Sequence, residues 1–92
     1  MENMIGSDMV FDVAEGVKTR TEDFGLLVVS KATPALSFNK DAMAVWELCN
    51  GTNTVNTIIK IIQESYQDEG VETLVIETLD NFLKLGLIKQ IL

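Results

Sequence analysis

The apolar residues change their period at Asn39, and that change constrains the fold of this chain more than any other feature. Upstream, apolar and β-branched side chains alternate with polar ones or run in short blocks, as strands require. Downstream, apolar residues recur at the three- and four-residue spacing of amphipathic helices. A chain divided this way segregates its sheet from its helices and belongs to the α+β class.

In the upstream part, "VKTRTE" (Val17–Glu22) alternates apolar or Thr with charge and predicts a first strand. "FGLLVVS" (Phe24–Ser30) is a continuous apolar run with β-branched residues, too short for a lone helix, and predicts the second. Asp23 and Gly25 suit a tight connection between them. "KATPA" (Lys31–Ala35) holds the only proline and predicts the next turn. Ala35–Phe38 completes a three-stranded antiparallel meander, with Leu36 and Phe38 on one face. Residues 1–16 read as an N-terminal arm in which "MVFDV" (Met9–Val13) is either an extra strand or a mobile leader. Residues 17–92 read as the domain proper.

From Asn39 the helices begin. The Asn39 side chain suits an N-cap, and Ala42, Val45, Trp46 and Cys49 follow one helical face. Asn50-Gly51 is expected to end that helix, since both residues tolerate a left-handed C-cap. Thr54 is the next N-cap candidate, before the stripe Val55, Ile58, Ile59, Ile62 and Tyr66. Asp68 is expected to cap a third helix that runs to about Leu85, closed by Gly86. Leu87–Leu92 is a short extended tail and a further strand candidate. The order β-β-β-α-α-α, a small sheet beside three helices, is a winged-helix-like arrangement.

Composition limits what such a domain can do. The net charge is −7, and an acidic chain repels phosphate backbones, so nucleic-acid binding is disfavoured. A winged-helix DNA-binding regulator is the alternative function that the architecture permits, but its helices offer few basic or amide side chains for base edges. There is no histidine, which removes the commonest general base and metal ligand. The single Cys49 lies on the apolar stripe with Trp46, where burial makes a thiol inert, so a cysteine enzyme is disfavoured too. No apolar run approaches the ~18 residues of a membrane span, and no signal peptide is apparent, so a cytoplasmic location is expected. The chain should bind something rather than catalyse.

The third helix carries more apolar surface than a surface helix needs. Val71, Leu74, Val75, Ile76, Leu79, Phe82, Leu83 and Leu85 cover an arc of roughly 200° at ~100° per residue. The surplus predicts a second apolar contact: the sheet, a second copy or a ligand. A groove between this helix and an edge strand would offer unpaired backbone groups to an extended peptide.

The ordered set Leu36-Ser37-Phe38-Asn39, Trp46-Glu47-Leu48-Cys49-Asn50-Gly51, Thr54-Val55 with Ile58, and Gly86-Leu87-Ile88 resembles the PqqD-like proteins. These are recognition elements for ribosomally made, post-translationally modified peptides. The likeness extends over about residues 17–88, and "VKTRTEDFGLLVVS" with "LSFNK" is also similar to the mycofactocin-system chaperones. The resemblance implies a non-catalytic module without a cofactor. It implies that the leader segment of a precursor peptide adds as a strand beside the third strand and is passed to a modifying enzyme, frequently a radical SAM maturase. Carried over by residue, the strand side is Ala35, Leu36, Ser37 and Phe38. The helix side is Leu74, Val75, Thr78, Leu79 and Phe82. Many family members have an acidic residue where this chain has Leu74, a departure that makes the cleft more apolar. Lys31, Lys40 and Lys84 read first as ordinary solvated lysines and second as attractors of acidic leader residues. A monomer or weak homodimer is expected.

Overall fold

The computed structural model describes residues 5–31 and 33–92, so residues 1–4 of the expected arm and Ala32 within the expected "KATPA" turn lie outside the described residues. The expected meander is present as β2 (Lys18–Glu22), β3 (Gly25–Val29) and β4 (Leu36–Asn39). These form one antiparallel sheet in the order β2-β3-β4, so β2 and β4 are its edges. Leu26 pairs with Phe38 and Val28 with Leu36, which puts these four side chains on the core face. The face alternation along β4 thus follows from its sequence.

Three helices follow: α1 (Lys40–Glu47), α2 (Val55–Tyr66) and α3 (Val71–Lys84). Asn39 caps α1, its Oδ1 accepting from the Ala42 N–H at 2.9 Å. Thr54 caps α2, its Oγ1 accepting from the Thr57 N–H at 3.1 Å. The end of α3 is a Schellman motif. The Gly86 N–H bonds the Leu83 carbonyl and the Leu87 N–H bonds the Phe82 carbonyl, both at 3.0 Å. Gly86 takes the left-handed conformation this needs, φ 75°.

The α+β class holds, but a second three-stranded sheet, in the order β5-β1-β6, corrects the expected β-β-β-α-α-α order. Its strands are β1 (Val10–Val13), β5 (Asn50–Thr54) and β6 (Ile88–Gln90). The segment expected as an arm or extra strand therefore supplies a central strand, with Phe11 only 1% exposed. β5 replaces the expected C-cap role of Asn50-Gly51: α1 stops earlier, with Leu48 as its C-cap. Polar "NGTNT" has little strand propensity. It is held by pairing to β1, and by the Asn50 carboxamide oxygen accepting from the Thr52 N–H at 3.1 Å and hydroxyl at 2.6 Å. Between the pairs Val10–Thr54 and Asp12–Asn50, β1 advances two residues and β5 four, so β5 is bulged there.

A second correction concerns α3. Asp68 does not cap it directly; Gly70 occupies the N-cap without a side-chain bond. Asp68 forms the preceding turn instead, its Oδ1 accepting from the Gly70 N–H at 2.9 Å. The first N–H groups of α2 gain backbone partners from the segment before β1: Val55 donates to the Met9 carbonyl at 2.9 Å and Asn56 to the Ser7 carbonyl at 3.0 Å.

The core joins β1, β3, β4, β6 and the three helices. Leu26 and Val28 of β3, Val45 and Trp46 of α1, Ile58 and Ile62 of α2 and Val75, Leu79 and Phe82 of α3 pack in one cluster with Phe11 and Leu87. Gly25 controls how closely β4 closes on β3. Its φ is 144°, and a Cβ there would lie 2.2 Å from the Phe38 carbonyl oxygen. Gly25→Ala should therefore cost on the order of 2 kcal/mol or more, combining strain with a displaced strand. Urea unfolding checks the loss, and amide hydrogen exchange at residues 36–39 should accelerate beyond the change elsewhere.

Candidate functional site

A groove of about 460 Å³ runs between β4 and α3. Its apolar lining comes from Phe38 of β4, Ala42 of α1, and Leu74 and Phe82 of α3. Its polar lining comes from Ser37 and Asn39 on the strand side and Glu77, Thr78 and Asn81 on the helix side. Phe82 is fully buried yet reaches the groove, because its ring is held edge-on by two others. Its centroid lies 5.2 Å from those of Phe38 and Trp46, with interplanar angles of 83° and 88°. Such edge-to-face contacts add to the burial of each ring.

Five of the residues expected at a cleft line this groove: Ser37, Phe38, Leu74, Thr78 and Phe82. Leu36 lies on β4 and packs against the core, and Ala35 stands just before the strand, exposed. Val75 and Leu79 do not reach the groove; both are 0% exposed in the core. Helical geometry explains the difference. At ~100° per residue, positions 75, 79 and 82 point inward together, while 74, 78 and 81 are rotated toward β4.

Sequence reasoning missed Asn39, Ala42, Glu77 and Asn81. Asn39 and Ala42 were assigned to capping and core. Glu77 and Asn81 fall on the polar side of the third helix in sequence, although they follow Leu74 and Thr78 by three residues each, a helical neighbour spacing. None of the lysines considered as attractors lines the groove, and the Lys84 ammonium pairs with Asp80 at 2.9 Å.

Among the described residues, none that lines the groove is a nucleophile paired with a base. Cys49 lies elsewhere, 1% exposed, its thiol donating to the Val45 carbonyl at 3.4 Å. Burial, reinforced by the Asp12 carboxylate, pushes this thiol up to about 12, so it stays protonated at neutral pH. Among the described residues no group of three His, Cys, Asp or Glu side chains is placed to hold a metal ion. No described helix is long and apolar enough to cross a membrane. The arrangement offers an open strand edge, an apolar floor and a polar rim, which can hold an extended chain.

The family model for coenzyme PQQ synthesis protein D (PqqD) matches residues 26–88. The PqqA binding protein of Methylococcus capsulatus is 32% identical over 57 residues, 62% of this chain and 61% of that protein. The match thus spans about three fifths of that relative's length. The solution NMR structure of the PqqD truncation of Methylobacterium extorquens PqqCD, a functional and stand-alone RiPP recognition element, is similar with a TM-score of 0.77. That similarity covers 95% of this chain and 96% of the other at 19% identity, a likeness of fold.

Two measurements test the site's construction. Phe82→Ala should lower stability by about 3–5 kcal/mol, because it empties the ring contact between strand and helix, whereas Thr78→Ala should stay within about 0.5 kcal/mol. Denaturant titration separates them. The Cys49 thiol of the native protein should react with a thiol reagent at least ~10-fold more slowly than in the urea-unfolded chain.

Proposed function

The chain belongs to the PqqD family, and we propose that it is a non-catalytic recognition module for the leader segment of a ribosomally synthesised precursor peptide. The leader pairs as an added strand along the free edge of β4 and lies against α3. The module then delivers the peptide to a modifying enzyme, which we take to be a radical SAM maturase.

The observation that carries this reading is the contrast between the two edges of the sheet. β2 bears Lys18, Arg20 and Glu22, and the last two form an ion pair. Charged edge strands resist pairing with another chain. β4 reads Leu-Ser-Phe-Asn, without a charge, and it is the edge that borders the groove. The open, uncharged edge and the apolar floor thus coincide.

Support also comes from the family, one relative of which is a PqqA binding protein. We assign the strand side of the contact to Ala35, Leu36, Ser37 and Phe38, and the helix side to Leu74, Thr78 and Phe82. Val75 and Leu79 act behind them as the packing that holds α3 in place. The three helices with the β2–β3 hairpin make a winged-helix-like frame, but the net charge of −7 opposes a DNA-binding use of it. Tethering raises the local concentration of the peptide at its enzyme without any chemistry by the module. Without a peptide, the same edge permits weak self-pairing.

The test is a titration of the isotope-labelled protein with the synthetic leader of the precursor peptide encoded beside it. Backbone amide signals of residues 35–39 and 74–82 should move together. Shifts confined to β2, or to the β5-β1-β6 sheet, would sink the proposed mode of binding.

A further inference from the structure

Among the described residues, Glu77 is the only ionisable side chain that lines the β4–α3 groove. Among the described residues its carboxylate has neither an ion-pair nor a hydrogen-bond partner. The polar side chains around it, Ser37, Thr78 and Asn81, are neutral. The nearest basic residue in the helix sequence, Lys84, is held by Asp80 and lies outside the groove. The groove therefore carries one uncompensated negative charge within a protein whose net charge is −7.

The position of that charge is also informative. Leu74 and Phe82 are eight residues apart, about 12 Å along the helix at ~1.5 Å per residue. An extended strand covers the same distance in about four residues at ~3.3 Å each. That matches the four residues of β4. Glu77 falls near the middle of this span, between the apolar ends supplied by Leu74 and by Phe82 with Phe38.

From this we infer that the groove selects an extended segment with a Lys or Arg at its centre and apolar side chains on either side. The occupant follows from charge complementarity: Glu77 repels an acidic residue at that point and attracts a basic one. This is opposite in sign to the second reading of Lys31, Lys40 and Lys84, as attractors of acidic leader residues. It rests on the strand-addition reading above, and specifies what that reading leaves open, the chemistry of the peptide.

The test uses the full chain as bait for a displayed library of random 12-residue peptides, with wild type, Glu77→Gln and Glu77→Lys selected in parallel. Selected peptides are first mapped on the wild type by amide shifts. Wild type should enrich Lys or Arg at one central position between apolar residues. Glu77→Gln should lose that enrichment, and Glu77→Lys should replace it with Asp or Glu. A wild-type-selected peptide should lose up to about fivefold in affinity for Glu77→Gln, as expected for a pair with the exposed Glu77 carboxylate, and less at high salt. Peptides that map to residues 35–39 and 74–82 but show the same charge profile for all three proteins overturn this inference and leave strand addition standing. Peptides that map elsewhere, or a library that yields no binder, overturn both.

Discussion

The edge-to-face contacts of Phe82 with Phe38 and Trp46 are what the rest of the molecule depends on. They join the edge strand, the first helix and the last helix at one ring. Elsewhere β4 is tied to the domain through its pairing with β3, its contact with α1 and the packing of Leu36 against the core. With the ring contacts, the strand edge and the α3 wall keep a fixed separation. The floor of the groove is therefore part of the core, and the site needs no rearrangement to exist. Preformed geometry of this kind reduces the ordering cost of binding an extended chain.

The second sheet does a different job. β1 lies between β5 and β6. Backbone bonds run from the Ala14 N–H to the Leu87 carbonyl at 2.9 Å and from the Ile91 N–H to the Val10 carbonyl at 2.8 Å. This sheet braces the start of α2 and the end of α3 from the side away from the groove. One half of the molecule presents a surface, and the other half holds the helices that shape it.

The parts legible in the sequence were those with local causes. The meander, the caps at Asn39 and Thr54 and the stop at Gly86 each follow from neighbouring residues. Two strands of the second sheet were legible as candidates, Met9–Val13 and Leu87–Leu92, but the sheet was not, because β5 is polar and its pairing with β1 joins residues some forty apart. Asn50-Gly51 carried a real turn signal, but the turn is a bulge in a strand rather than a helix end. At the groove, apolar residues were found and polar ones missed for one reason. A wheel divides a helix into inside and outside, and a groove lies on the boundary. Val75 and Leu79 fall on the inner side of that boundary, Glu77 and Asn81 on the outer.

The ring stack gives the molecule an internal optical gauge. Trp46 is the only tryptophan, and it touches a ring that lines the groove from beneath. The only tyrosine, Tyr66, stands at the end of α2 with its hydroxyl donating to Asp41 at 2.8 Å, and it does not line the groove. Emission excited at the red edge of protein absorption therefore comes from a single indole. Any occupant that tilts or tightens the Phe82 ring changes the packing around that indole while leaving it shielded from water. The unmodified protein thus carries its own fluorophore, one ring away from the surface it uses.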